Sequence, residues 1–494
     1  MVKKTVADFN SFEKKLKKII RNSIRSHKYN RAMSAISCCA TAMYEYNQYY
    51  TDDFLEYSTL YIGKIFAEKK KEALKEYHSD PNIVLFYDGF GLDIRGVSKM
   101  YLNALIKNQY KVIYLLPEPS KGKMPETEKV TQSGDVVWRY FNNKRSYSDS
   151  SNEIIDVILE TLPKALFFYT TPGDVSGAVA FTLFQGKVQR FLIDLTDHAF
   201  WLGKCCNDFF CGSREMSASN QYYGRGIPKE KCIKLGVNLV IEECTDHSGL
   251  PFDVLSTRYI FSGGALYKTL GDDEKYYYKI VDHILSEHQD VKYLYAGLGN
   301  DFEMKKILKK YPDRAYLISE RKDFYYLIQN SIFYLNTYPM FGGMMMKYAA
   351  NASRIPITLR HDSDADGLLI NQDAAKIQYD SYDELISDID RLLNDDSYME
   401  KRRVLLKGTI ITEERFINNV RGLIEQNKTD YEHGFYKIDT SNFRKEFLER
   451  FDLSKTKERL IKRKNTELIL VMPNMYFQLI KKIYKVVKGE FKND

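Results

Sequence analysis

Between Asn82 and about residue 427, short apolar runs alternate with helix-forming stretches, and no other feature restricts the fold of this chain as much. Strands separated by helices pair in parallel, with helices covering the sheet and ligands bound beyond the strands' C-terminal ends. Residues 83–87 read as a buried strand, 88–96 as a glycine-rich loop, 97–108 as a helix and 111–117 as the next strand. Gly89, Gly91 and Gly96 lack the dinucleotide-fingerprint spacing, and no acid follows at the distance it needs. An open loop beyond the strand is expected there instead. The series continues with a helix over 153–161, a strand over 164–169 ending in Thr170-Thr-Pro-Gly, a helix over 175–184 and a strand over 188–195.

The stretch from 236 to 259 is polar and turn-rich, as a crossover between domains would be, and a second series follows it. Its strands, some with their turns, fall over 258–264, 292–299, 315–319 and 331–335, and its helices over 273–288, 302–310, 322–329 and 344–352. A chain of 494 residues is too long for one ordinary core. The fold class is therefore α/β, with two Rossmann-like domains, an N-terminal all-α extension and a C-terminal helical tail. The expected spans are a helical region over 1–80, a first Rossmann-like domain over 81–250, a second over 251–427 and a tail over 428–494.

Two places along this series carry chemistry. In the second domain the pair Gly342-Gly343 falls at a helix N-terminus, where the main-chain N–H groups of Gly342, Gly343 and Met344 and the positive end of the helix dipole favour an anion such as phosphate. A glycine pair alone is a weak signal; its neighbours decide what it means. In the first domain the strand over 188–195 delivers Thr196-Asp-His-Ala-Phe-Trp-Leu-Gly203 to the sheet's C-terminal edge. His198 stands where a site would form, and Asp197 beside it tunes it or caps the next turn.

The run from Tyr316 to Leu359 resembles the strand, helix, "sDlyL-N-P", Gly-Gly turn, helix and "G-x-P-v-v-T-L" pattern of GT-B glycosyltransferases, and 379–398 is similar to their closing helix. Asn207 to Asn238 matches the stretch that ends their first domain, and the likeness spans about residues 82–427. The resemblance is to bacterial enzymes of the family 4 and 41 kind, which modify cell-surface glycans or proteins. It implies a nucleotide-sugar donor with no metal or other cofactor, and a glycan, lipid-linked or protein acceptor. It also implies donor contacts from Gly263, Gly264, Lys268, Ser319, Glu320, Arg321, Gly342, Gly343, Met344 and Met345, with His198 and Asp197 catalytic on the first domain. Where such enzymes carry a Glu for the ribose hydroxyls this chain has Ala349, and their small hydroxyl residues after the glycines are replaced by Met344, Met345 and Met346. Two readings follow: an enzyme with a modified donor site, or a non-catalytic partner subunit of the same fold.

The remaining sequence bounds location and partners. Lys and Arg outnumber acids by 73 to 66, an excess too small at this length to suggest nucleic acid as a partner. Seven cysteines without paired Cys-x-x-Cys spacing read as reduced thiols, and no run approaches the roughly 18 apolar residues of a spanning helix. A cytoplasmic protein is expected. Residues 8–78 carry helical periodicity similar to one or two tetratricopeptide hairpins, which pack on the body or dock a protein partner. The tail from Asn474 alternates Met475, Leu479, Ile483, Val486 and Val487 with Lys481, Lys482, Lys485 and Lys488. Such a helix lies on the anionic inner face of a membrane or packs across the domains.

Overall fold

A computed structural model describes the chain except for residues 1, 94–95, 242–243, 271, 362–368, 371, 433, 473–474, 476, 478, 481–482 and 485–494. Its residues form two compact units, one of residues 1–236 with 416–494 and the other of 237–415.

The first unit is built on a parallel sheet of β1 (Asp80–Asp88), β2 (Lys111–Pro117), β3 (Val136–Phe141), β4 (Pro163–Tyr169), β5 (Gln189–Asp194), β6 (Phe209–Gly212) and β7 (Cys232–Lys234), in the order β3-β2-β1-β4-β5-β6-β7. The order reverses direction between β1 and β4, the place where ligand crevices form in open parallel sheets. The last five residues of β1 and the last six of β2 are all buried, because helices cover both faces and a continuous apolar run is what such a strand needs. β3 is a strand that sequence periodicity does not reveal, as are the short β7 and the later strand Gln378–Tyr379. β3 is an edge strand, half-buried along most of its length, and Val-Val-Trp-Arg-Tyr-Phe interrupts its apolar residues with an arginine.

The N-terminal helices Val2–Arg25, Tyr29–Tyr46 and Asp53–Lys69 share the core of this sheet. Asp52 caps the third by accepting from the Leu55 N–H at 3.0 Å. Gly63 then lets that helix approach helix Val175–Thr182 so closely that an added Cβ would stand 1.8 Å from Thr182 Oγ1. The C-terminal helices Ser441–Arg450, Leu453–Leu460 and Thr466–Val471 belong to the same unit. Leu460, Leu468, Ile469 and Met475 enter its core. Buried Asn465 ties three regions together: its Oδ1 accepts from Ser34 Oγ at 2.8 Å and Tyr147 Oη at 3.0 Å, and its Nδ2 donates to the Leu460 carbonyl at 2.7 Å.

The second unit repeats the plan with β8 (Tyr259–Gly263), β9 (Lys292–Ala296), β10 (Ala315–Ile318), β11 (Tyr334–Leu335), β12 (Pro356–Leu359) and β13 (Gln378–Tyr379), all parallel in the order β10-β9-β8-β11-β12-β13. β11 is shorter than the apolar run over 331–335 suggests. Ser331 is taken up in closing the preceding helix, its N–H and Oγ both donating to the Ile328 carbonyl. Beneath the sheet runs a chain of buried hydroxyls: Tyr277 Oη donates to Ser262 Oγ at 2.8 Å, Ser262 Oγ donates to the Leu335 carbonyl, and Tyr293 Oη lies against Tyr277 Oη.

All seven cysteines are free, and among the described residues no helix is long and apolar enough to cross a membrane. Most of the basic C-terminal segment expected as a helix from Asn474 lies outside the described residues. Within it, Met475 is buried and Leu479 packs partly on the core.

Candidate functional site

In the second unit the sequence-predicted donor residues gather at the C-terminal edge of the sheet. β8 ends in Gly263, and Gly264 follows with φ +130°, a conformation only glycine adopts readily. The next loop approaches it closely: a Cβ on Gly297 would stand 1.9 Å from the Gly264 carbonyl oxygen. Tyr295 Oη donates to that same oxygen at 3.0 Å, and the Gly264 N–H donates to the Ala296 carbonyl at 2.9 Å. The loops after β8 and β11, neighbouring strands, are linked through Lys268. Its Nζ donates to the Phe341 carbonyl at 3.2 Å, and its own carbonyl accepts from the Met340 N–H at 3.2 Å.

Helix Gly343–Asn351 begins at this place, with Gly342 as its N-cap. The expectation that Gly342 offers its N–H to an anion is corrected. Asn336 Oδ1 accepts that N–H at 3.1 Å and the Thr337 N–H at 3.0 Å, so the turn is closed internally. Asn336 is fully buried, and its role is not legible in sequence because its partner lies six residues on, across a proline turn. The N–H groups of Gly343, Met344 and Met345 have no hydrogen-bond partner among the described residues, as the first turn of a helix leaves them. The Met345 side chain packs toward β8, with its Cε 3.3 Å from where a Gly263 Cβ would sit. Ala349 is fully buried in a cluster with Tyr259, Phe261 and Leu327, so this position faces the core.

Ser319, Glu320 and Arg321 follow β10, two strands from β8. Ser319 and Glu320 are exposed. The Arg321 side chain is committed to Asp323 by a two-pronged pair, Nε–Oδ1 2.6 Å and Nη2–Oδ2 2.8 Å. Burial opposes charge on Asp323, but Arg321 and His247, whose Nδ1 is 3.1 Å away, hold its carboxyl below the ordinary range. A cavity of about 410 Å³ in this unit, lined by Asn238, Ile241, Asn351 and Lys407, lies at the other end of helix Gly343–Asn351 and takes in none of the predicted donor residues.

In the first unit β5 ends in Asp194 and hands the chain to the loop bearing His198. Asp197 is buried and fully engaged: its carboxylate accepts from Arg214 Nε at 2.7 Å, Arg214 Nη2 at 2.8 Å and Ser217 Oγ at 2.6 Å. Burial works against the charge, yet the Arg214 guanidinium outweighs it and keeps this carboxyl far below the usual range. Asp197, expected as catalytic, stays anionic 3.6 Å from His198 Nδ1 and takes up no proton in the neutral range. His198 itself is partly exposed and meets the Phe443 ring edge-on at 5.8 Å.

Sequence reading missed what holds this loop. Arg225 stacks 4.0 Å over the Trp201 ring and donates to the carbonyls of Ala199, at 2.7 Å, and Tyr50. Trp201 Nε1 donates to Asp194 Oδ1 at 3.0 Å, and Gln221 Nε2 to Asp194 Oδ2 at 3.0 Å. Burial pushes the Asp194 carboxyl up to about 6 against the pull of Arg225. From the N-terminal helices, buried Glu56 accepts the N–H groups of Gly203 at 3.1 Å and Cys205 at 2.9 Å. The N-terminal helical region thus anchors the candidate catalytic loop.

A glycosyltransferase from Rickettsia africae superposes with a TM-score of 0.51 at 10% identity, over 71% of this chain and 100% of that one. The fold is GT-B. Lower-scoring likenesses include an O-GlcNAc transferase mutant from Thermobaculum terrenum, at a TM-score of 0.47 and 14% identity over 84% of this chain and 78% of that one. MnaA from S. aureus, solved with UDP, aligns at 0.47 and 14% over 72% and 100%. No protein-family model matches the chain, and no curated protein matches its sequence. Within the GT-B plan, the Gly263–Gly264 and Gly342–Met345 segments belong to the second unit and the His198 loop to the first.

Proposed function

We propose that this GT-B protein transfers a sugar from a nucleotide-sugar donor to a cell-surface glycan, lipid-linked intermediate or protein. The observation that carries the reading is the turn at Gly343: three successive main-chain N–H groups without partners among the described residues, at a helix N-terminus beside Lys268. A departing nucleoside diphosphate gathers negative charge, and fixed N–H dipoles stabilise it without reorganising. Gly264, where an added Cβ would meet nothing within 4 Å, leaves the backbone beside it open, and the backbone of Ser319, Glu320 and Arg321 offers contacts for the base. On the first unit His198 is the general base toward the acceptor or a donor to the sugar, with Asp197 fixing its ring.

One observation favours a second reading, a non-catalytic GT-B subunit that binds an acceptor or stabilises an active partner. The ribose-holding position is buried Ala349, and the residues after the glycines are methionines. Thermal shift with a panel of nucleoside diphosphates separates the two. A ligand at a hundred times its Kd stabilises by about 2.7 kcal/mol, and the response should vanish in Gly343→Trp. Absence of any response in the intact protein rejects the enzyme reading.

A further inference from the structure

The cavity of about 410 Å³ in the second unit falls in the size range of pockets that hold small molecules, and it takes in no residue of the donor site or the His198 loop. Three kinds of surface meet in its wall. The first is the C-terminal end of helix Gly343–Asn351. There the N–H groups of Ala352, Ser353 and Arg354 occupy the carbonyls of Tyr348, Ala349 and Ala350. The Asn351 carbonyl is left without a partner among the described residues, at the negative end of the helix dipole. The second surface is aliphatic, made by Leu239, Ile241, Leu406, Ile410 and Ile411. The third is polar. Lys407 and Glu413 bring opposite charges, both solvent-exposed. Asn238 is buried, with its Oδ1 unpartnered among the described residues while its Nδ2 donates to the Leu239 carbonyl at 3.2 Å. Hydrogen bonds hold this wall in place: Tyr348 Oη donates to the Val240 carbonyl at 2.8 Å, fastening segment 238–241 to the helix, and Thr409 Oγ1 donates to the Leu406 carbonyl at 2.7 Å.

We propose that this cavity binds a small aliphatic zwitterion of the α-amino-acid class. An ammonium group meets the acceptors and partial negative charge of the helix end, with the Glu413 carboxylate adding a full charge. Turning of the Asn238 amide toward that ammonium gives its oxygen the donor it lacks, and a buried acceptor left unmet costs free energy until one arrives. A carboxylate meets the Lys407 ammonium. A branched hydrocarbon side chain then covers the leucine and isoleucine surface. A nucleobase would call for an aromatic face to stack on, and the wall presents none among the described residues. Segments 238–241 and 410–413 come from near the two ends of this unit's chain, so an occupant ties them together and stabilises the unit. The inference stands apart from the transfer reading, since it uses no residue of the donor site or the His198 loop.

The test is isothermal titration calorimetry of the full chain with L-leucine and with two fragments of it: isopentylamine, which lacks the carboxylate, and isocaproate, which lacks the ammonium group. L-leucine should bind about tenfold or more tightly than either fragment, since each fragment gives up one charge-assisted bond. Lys407→Ala should weaken L-leucine by about tenfold and leave isopentylamine unchanged, and Asn238→Leu should weaken both by about as much. Lys407 is solvent-exposed, so its variant should keep the parent's melting temperature and carries the test by itself. The response to nucleoside diphosphates should be the parent's in both variants, whichever reading of the donor site holds. Absence of binding by L-leucine at about 10 mM overturns the proposal. So does L-leucine binding that Lys407→Ala leaves unchanged, and so does equal affinity for L-leucine and either fragment, which would mark a site for one charge alone.

Discussion

Replacing Gly297 by alanine tests whether the two loops at the end of β8 and β9 are held as closely as the structure has them. No positive φ constrains this residue, so alanine meets no backbone strain of its own; the whole effect is steric. The new Cβ would stand 1.9 Å from the Gly264 oxygen and 2.9 Å from its carbonyl carbon. Carbon contacts ordinarily stand about 3.5–4.0 Å apart, so the Gly264 peptide must move by more than about 1 Å. Overpacking of this sort costs about 1–3 kcal/mol. The displacement also strains the bonds from Tyr295 Oη and to the Ala296 carbonyl, at about 1 kcal/mol each. A loss of about 3–5 kcal/mol in a unit of this size lowers its melting temperature by roughly 10 °C. Calorimetry of both proteins reads this directly, and nucleoside diphosphate binding should weaken in parallel because the loop carries Gly263 and Gly264. Gly264→Ala is the companion: its Cβ would meet nothing within 4 Å, and its cost comes from φ +130° alone. Should Gly297→Ala melt within about 2 °C of the parent, the close approach imposes no constraint and the reasoning fails.

Asp194 and Glu56 supply two further tests beneath the His198 loop. The folded pKa of Asp194, about 6, stands above its unfolded value near 3.9, so its contribution favours the fold at low pH and is lost as pH rises through about 6. Asp194→Asn should remove that slope and gain on the order of 3 kcal/mol at neutral pH in urea unfolding. Gln221 Oε1, buried and without a partner among the described residues, can turn to accept the new amide. A large destabilisation instead would mean that Arg225 needs the countercharge. Glu56→Ala strands the Gly203 and Cys205 N–H groups at about 1–3 kcal/mol each, whereas Glu56→Gln keeps an acceptor and should recover part of the loss; equal losses would show that only the volume of Glu56 matters.

The parts of the fold that sequence discloses are those where one physical demand acts alone. Strands buried on both faces, such as β1 and β2, need unbroken apolar runs and announce themselves. The edge strand β3 does not, since solvent on one side admits Trp138 and Arg139 into it. In the candidate donor site, the turn at Gly264 could be read because it serves a local backbone need, a φ of +130°. The closure of the Gly342 turn by Asn336 could not, because a side-chain amide can bond in many directions and only the folded turn selects one. Arg225 and Glu56 escaped notice for a related reason: their partners at Tyr50, Ala199 and Gly203 are remote in sequence, and nothing local marks a charge that will be buried against a distant backbone.

The buried hydroxyls beneath the second sheet have a direction. Each phenol or alcohol has one hydrogen to give, and the Leu335 carbonyl at the end of the series can only receive. Ser262 gives its hydrogen to Leu335 and Tyr277 gives its own to Ser262, so Tyr293 must give to Tyr277. Every O–H dipole in the row is thereby set head to tail, with the positive heads toward the strand that opens into the Gly342 turn. Among the described residues, this is a fixed electrical polarisation of the floor of the second unit, built from uncharged groups and independent of pH over the range where the protein is folded.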